Sequence, residues 1–311
     1  MPPKAKYPEE ERIVDVDGRR LTIKHLSKVL YPETGTTKAE VLNYYARAAE
    51  VMLPHISERA VTLKRYPHGV DDMSFFEKAC PKYRPEWLKT AGIYSKHRGE
   101  DLEYCMVNEV ASLIYLANLG TIEFHVLLSG RRSPQKPKTM VYDLDPGEGM
   151  DILDCARVAL IVRERLLADG LESWIKTSGS KGMQLYVPLN RPRMTFDRTK
   201  TYSKMLADEL AAEFPGDIVS KMSKSLRRER VFIDWSQNDA HKTTICAYSL
   251  RGRPIPRAST PVTWDEVADA VRAGTADPLV IEMEETLERI EADGDLFEGV
   301  LTLEQGLPRR R

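Results

Sequence analysis

Between Thr139 and Trp235 the sequence switches between strand-like and helix-like periods in an order that few architectures accept. "TMVYDLD" reads as a strand, and "DILDCARVALIVRERLLADG" as a helix that Gly170 stops. "ESWIKTS" and "MQLYVPL" follow as two strands joined by the Gly-rich turn "GSKG". A second helix over residues 198–214 ends at Pro215-Gly216, and "RVFIDW" supplies a fourth strand. The order is β-α-β-β-α-β, a split βαβ unit. In such a sheet the first and last strands are antiparallel neighbours. Asp143 and Asp145 are two apart on the first strand and so share a face, and Asp234 on the fourth is expected beside them.

The expected fold is therefore α/β (α+β): a sheet like that of RNA-recognition-motif and ferredoxin-like folds, with an N-terminal α/β layer. Three carboxylates on one surface repel one another unless a cation neutralises them. Hard divalent ions such as Mg²⁺ or Mn²⁺ take oxygen ligands, and a pair of them suits nucleotidyl transfer. The Asp-x-Asp spacing alone fits the end of a strand before a Pro-Gly turn equally well. The hairpin "TSGSKGMQLYVPL" adds weight: Gly179 and Gly182 permit close backbone approach, Ser178 and Ser180 offer hydroxyls, and Lys181 offers a charge for phosphate. The basic stretch "SKMSKSLRRERV", with Lys221, Lys224, Arg227, Arg228 and Arg230, runs straight into the fourth strand. Taken alone it fits a solvated face. Carboxylates for metals, ringed by cations for phosphates, are what a metal-nucleoside-triphosphate site requires. No GxxxxGK[ST] loop occurs in the chain.

With 311 residues and a net charge of −1, the chain gives no overall sign of a nucleic-acid partner; the charge is segregated instead, with acidic residues dominating from Glu282 to Glu304 in a helical tail. Cys80, Cys105, Cys155 and Cys246 show neither CxxC nor disulfide-scaffold spacing, so reduced thiols in a cytoplasmic compartment are expected. No apolar run reaches the roughly 20 residues of a membrane span, and no signal-peptide core is present, so no membrane partner is expected. "TTKAEVLNYYARAAEVM" reads as a helix with Thr37 and Glu40 as a capping box. "AVTLKRY" and "TIEFHVLL" are strands on either side of the helical "NEVASLIYLANLG". The expected layout is a flexible tail (1–12), a single catalytic domain (13–300) and a second tail (301–311). Within the domain, residues 13–138 form an N-terminal part, 139–260 the sheet that carries the three acids and 261–300 C-terminal helices.

"LYPETGTTK", "VYDLDPGEG", "TSGSKGMQLYVPL", "MSKSLRRERVFIDWSQN" and "KTTICAYSLRGRP", in this order, together resemble the polymerase domain of bacterial ligase D, a member of the archaeo-eukaryotic primase superfamily that serves non-homologous end joining. The likeness runs from about Leu21 to Leu296. It implies template-dependent addition of nucleotides to a primer at gaps or broken ends, favouring ribonucleotides and using Mn²⁺ or Mg²⁺. By position the resemblance makes Asp143, Asp145 and Asp234 the metal-binding and catalytic triad. Ser178, Lys181, Lys224, Arg227, Gln237 and Arg251 fall where the triphosphate is handled, and His125 in "EFHV" falls on the nucleotide-pocket histidine. Lys28 and Lys38 match lysines that recognise a downstream 5′-phosphate. Phe75 and Phe76 match a base-stacking platform, and Lys64 and Arg65 face DNA. Adjacent aromatics on a strand point to opposite faces, so only one of the two phenylalanines is expected to stack.

Where the family commonly has histidine in "SGSKGLH" this chain has Gln184, which can hydrogen-bond but cannot carry charge. No KxDG ligase motif occurs, so the resemblance implies a stand-alone, monomeric primase-polymerase of the bacterial nucleoid, acting with a separate ligase or a Ku-type end-binding protein. An alternative remains open: a 5′-phosphate-binding module that bridges DNA ends with little polymerisation. A weaker third reading is a phosphoesterase using the same metals.

Overall fold

The computed structural model describes residues 11–95, 99–191 and 193–308. The chain begins with a hairpin of β1 (Glu11–Val16) and β2 (Arg19–Lys24), followed by the short pair β3 (Val29–Tyr31) and β4 (Thr36–Thr37). Residues 1–10 of the expected tail lie outside the described residues, whereas Glu11 and Arg12 belong to β1, paired with Lys24 and Ile23. Helix α1 (Lys38–Ile56) starts at the capping box expected from Thr37 and Glu40. It is amphipathic, burying Val41, Tyr44, Tyr45, Ala48 and Met52.

The N-terminal layer is a sheet of β5 (Val61–Arg65), β6 (Phe75–Glu77), β7 (Thr90–Ser95), β8 (Glu100–Cys105) and β9 (Thr121–Leu127), with α2 (Val110–Asn118) before the last strand. One cysteine expectation is overturned here. Cys80, in the loop after β6, and Cys105, at the end of β8, form a disulfide with Cα atoms 4.8 Å apart. The backbone N–H of Cys80 donates to the Glu103 carbonyl at 2.6 Å, and this contact brings two residues distant in sequence together. Cys155 and Cys246 are free and buried.

The β-α-β-β-α-β unit is present: β10 (Thr139–Pro146), α3 (Ile152–Ala168), β11 (Trp174–Thr177), β12 (Met183–Pro188), α4 (Phe196–Glu213) and, after a two-residue β13 (Ile218–Val219), β14 (Val231–Asp234). Helix α4 begins two residues earlier than expected because the Thr195 side chain caps it by accepting from the N–H of Arg198. The sheet order is β13-β14-β10-β12-β11-β16, where β16 is Pro261–Val262. The first strand is thus central, flanked by the fourth and the third. Strand β15 (Thr243–Ile245) crosses to pair with β9, tying the two sheets together.

Alternation along β10 divides the interior. Met140, Tyr142 and Leu144 face α3 and α4 in one core, while Val141 belongs to a second core shared with α1 and β9. Asp143 and Asp145 have the parity of Val141, so they lie on the face turned toward the N-terminal layer. Helix α5 (Trp264–Ala273) packs on α3, and α6 (Met283–Asp293) packs on α1 before α7 (Gly299–Thr302). The expected tail beyond residue 300 is anchored in part. Gln305 and Glu172 exchange hydrogen bonds at 2.7 and 3.0 Å, and Leu307 is buried.

Candidate active site

The register of β10 and β14 brings the three acids together. Asp143 stands directly opposite Asp234, and Asp145 lies two residues further along the same face. The turn after Asp145 is held by the basic stretch: Gly147 N–H donates to the Arg230 carbonyl at 2.9 Å, and Glu229 N–H to the Glu148 carbonyl at 2.8 Å. A Cβ on Gly147 would sit 1.6 Å from the Arg227 carbonyl oxygen, so only glycine permits this approach. Gly182 does the same on the other side, where a Cβ would meet the Leu144 carbonyl oxygen at 2.1 Å. The Ser178 hydroxyl shapes this hairpin by accepting from the N–H groups of Gly182 at 3.1 Å and Ser180 at 3.3 Å.

A pocket of ≈ 340 Å³ opens here, with Asp143 and Asp145 on its floor and Ser178, Lys181, Arg227 and Arg251 around it. A larger cavity, ≈ 590 Å³, lies elsewhere, beside Lys138 and Asn190 at the opposite end of β10 and β12, and is lined by none of the predicted residues. Burial first, and then the charge of Asp145, push Asp143 up to about 7. Loss of solvation and the charge of Asp234 raise Asp145, while Arg227 and Arg251 pull it back. These carboxylates repel one another.

Among the described residues no group of three or more His, Cys, Asp or Glu stands ready to hold an ion. The side chains are tied elsewhere. Asp234 Oδ1 accepts from the Ser236 N–H at 2.9 Å, and the Gln237 amide lies between Asp234 Oδ2 at 3.3 Å and Asp143 Oδ2 at 3.5 Å. The donor set nevertheless fits a hard divalent cation: all three groups offer carboxylate oxygens, and their mutual repulsion is what such an ion relieves.

Gln184 occupies a specific place in this arrangement. Its Nε2 donates to Asp143 Oδ1 at 3.0 Å, while its Oε1 accepts from Lys176 Nζ at 2.7 Å. Lys176 is fully buried and also donates to Ser259 Oγ. Burial pushes it down to about 7. A lysine amine thus sits one layer beneath the uncharged glutamine. Lys176 escaped the sequence reading because a lysine in "WIKTS" resembles any exposed strand residue.

The remaining predicted residues fall into three places. Lys224 is exposed on the basic loop and does not line the pocket. His125, Lys64 and Phe76 meet on one face of the N-terminal sheet: Lys64 pairs with Phe76 in register, its Nζ lies 5.3 Å from the Phe76 ring centre, and the His125 ring meets that of Phe76 edge-on at 5.5 Å. Phe75 faces the other way, under Arg65 at 5.4 Å, and Arg65 is held by Glu77 at 3.0 Å. Lys28 and Lys38 lie together at the start of α1. Lys28 Nζ donates to the Pro67 carbonyl and Lys38 Nζ to the Lys24 carbonyl, each at 2.7 Å. Burial, and then the charge of Lys28, push Lys38 down to about 8.

Sequence reasoning also missed Glu123, a buried carboxylate between His125 and Arg251. The available signal was an acid inside the apolar run "TIEFHVLL", two residues from a histidine and so on its face.

A sheet of this order, with acids at adjacent strand ends and cations around them, has the make-up of a phosphate-handling class of protein. The comparisons narrow the class. The family profile "LigD, primase-polymerase domain" matches residues 37–297, and the chain belongs to that family. "Multifunctional non-homologous end joining protein LigD" of Mycobacterium bovis is 42% identical over 289 residues, covering 90% of this chain and 37% of that protein. "Bifunctional non-homologous end joining protein LigD" of Bacillus subtilis is 30% identical over 278 residues, covering 89% and 44%. The chain thus spans less than half the length of these curated relatives. Among solved structures, the "Polymerase Domain from Mycobacterium tuberculosis Ligase D in complex with DNA" matches with a TM-score of 0.83 at 40% identity, covering 92% of this chain and 99% of that one.

Proposed function

We propose that this chain is a template-dependent primase-polymerase that adds nucleotides to a primer 3′-end at gaps or broken ends during DNA repair. The observation that carries the reading is the juxtaposition of Asp143, Asp145 and Asp234 on paired strands with Lys181, Arg227 and Arg251 around them. Opposed charges at that spacing suit a nucleoside triphosphate, whose phosphates need cations and whose reacting centre needs carboxylate-bound metal. Asp143, Asp145 and Asp234 would hold Mn²⁺ or Mg²⁺, which when bound supplies charge neutralisation and Lewis-acid polarisation of phosphate oxygens.

The chain's own groups bind and orient. Lys181, Arg227 and Arg251 take the triphosphate, and the Ser178 hydroxyl keeps the hairpin N–H groups of residues 180 and 182 in a tight turn beside it. Phe76 offers a half-exposed ring beside His125 and Lys64, a surface suited to stacking a template base while His125 borders the nucleotide. Lys28 and Lys38 recognise a downstream 5′-phosphate. Ribonucleotide preference, and cooperation with a ligase or a Ku-type end-binding protein in end joining, belong to the same reading.

The test is primer extension on gapped duplexes with a 5′-phosphate or 5′-hydroxyl downstream, supplying ribo- or deoxyribonucleotides under Mg²⁺ or Mn²⁺. Extension that requires a divalent ion, is stronger beside a 5′-phosphate and is faster with ribonucleotides is expected. Binding to 5′-phosphorylated gaps without extension under any condition would favour an end-bridging module instead.

A further inference from the structure

Glu123 is the most heavily engaged acid among the described residues, and it touches neither the pocket floor nor solvent. Its carboxylate is 2% exposed on β9. One oxygen, Oε1, accepts from the Tyr66 hydroxyl at 2.6 Å, the Gly252 N–H at 3.1 Å and Lys64 Nζ at 3.4 Å. The other, Oε2, accepts from His125 Nε2 at 2.9 Å and lies 3.6 Å from Arg251 Nε. These partners come from different elements. Lys64 and Tyr66 belong to β5 and the turn after it, His125 to β9, and Arg251 and Gly252 to the crossing segment that carries Arg251 into the pocket beside Asp143.

The two ends of this network face different parts of the site. Lys64 lies over the exposed Phe76 ring. Arg251 lines the carboxylate pocket, and its Nε has no hydrogen bond of its own, so the Glu123 charge is what holds it on this side. His125 donates through Nε2, which leaves Nδ1 as the ring's acceptor whenever the ring is neutral. Burial lowers the His125 pKa and so favours the neutral ring. Burial opposes ionisation of Glu123, but the His125 hydrogen bond and the Arg251 charge outweigh it and keep the carboxylate ionised.

We propose that Glu123 is a positioning residue that fixes His125 in its Nε2–H tautomer and holds Arg251 and Lys64 in place, so that the stacking face and the triphosphate pocket are set together. The proposal rests on the reading of the pocket as a nucleotide site. Glu123 does not contact substrate; it acts through His125 and Arg251.

The experiment compares wild type, Glu123→Gln and Tyr66→Phe in single-nucleotide addition, with ¹⁵N NMR of the histidine ring as a second readout. Glutamine keeps the shape and can still accept from Tyr66 and Gly252, but it turns an NH₂ group toward His125 and Arg251. The expected result is a rise in nucleotide KM of about tenfold or more, the scale of a lost hydrogen bond to a charged group. The change in kcat should be much smaller, and the His125 proton should move from Nε2 to Nδ1. Tyr66→Phe removes only a partner of Oε1; it should lower the unfolding temperature while keeping the Nε2–H tautomer and a nucleotide KM within about twofold of wild type.

Equal KM changes in the two variants would make Glu123 a packing residue and overturn the proposal, as would a wild-type His125 carrying its proton on Nδ1. Should Glu123→Gln not fold, the wild-type tautomer decides: a His125 proton on Nε2 supports the proposal and one on Nδ1 overturns it. A wild type that adds no nucleotide removes the polymerase reading itself. Activity in wild type with an unchanged KM in Glu123→Gln removes only this proposal.

Discussion

Lys38 illustrates how a single side chain carries a testable consequence. A lysine pushed down from 10.5 to about 8 by burial and by Lys28 is partly neutral in mildly alkaline solution, and a phosphate bound beside it would restore its charge. Phosphate binding then takes up a proton above the free pKa. The preference for 5′-phosphorylated over 5′-hydroxyl gaps should be full below about pH 8 and fall as the pH rises through that value, by at most about tenfold per unit. Lys38→Arg, which stays charged, should flatten the profile; fluorescence-anisotropy titrations across that range check it, and a flat wild-type profile to about pH 10 contradicts it. At this scale the acids were legible in the sequence, because strand parity puts Asp143 and Asp145 on one face and the strand order brings Asp234 opposite. Lys176 and Glu123 were not. Their roles depend on which partners arrive from β12 and from the segment around Arg251, and no local period records that.

Close backbone approaches set the arrangement of the elements. The hairpin between β11 and β12 sits against the end of β10 only because Gly182 lacks a Cβ. Gly182→Ala should therefore destabilise the fold by about 1–3 kcal/mol, the usual cost of overpacking, and reduce nucleotide addition by displacing the hairpin; urea unfolding and activity assays report both. Stability close to wild type would show that the hairpin yields without strain. The disulfide between Cys80 and Cys105 closes a separation of 25 residues that includes β7, and by chain entropy its loss should cost about 3–4 kcal/mol. Denaturation with and without reductant measures it, and coincident curves would contradict the expectation. The strand and helix order of the β10–β14 unit was readable because each element is long enough to show its period. Strands β13, β15 and β16 are only two or three residues long and show none. Their pairing is decided by tertiary contacts, as is that of Cys80 with Cys105.

The two larger sheets are joined through the segment that carries β15, and the acids lie on the face of one that is turned toward the other. The sheet of β10 and β14 supplies Asp143, Asp145, Asp234 and the hairpin, while the N-terminal sheet supplies His125, Lys64 and Phe76. Arg251, on the segment running between the sheets, belongs to both groups. The chain's charge of −1 averages over local segregation: Lys181, Arg227 and Arg251 line the pocket, whereas α6 carries Glu284, Glu285, Glu288 and Glu291. The measurement that tests the account most directly is nucleotide addition to a gapped primer by wild type and by Asp145→Ala, with circular dichroism and DNA binding measured on the same samples. The prediction is a loss of addition of about a thousandfold or more in the variant, with folding and DNA binding retained. Addition at the wild-type rate by a folded Asp145→Ala protein would contradict it.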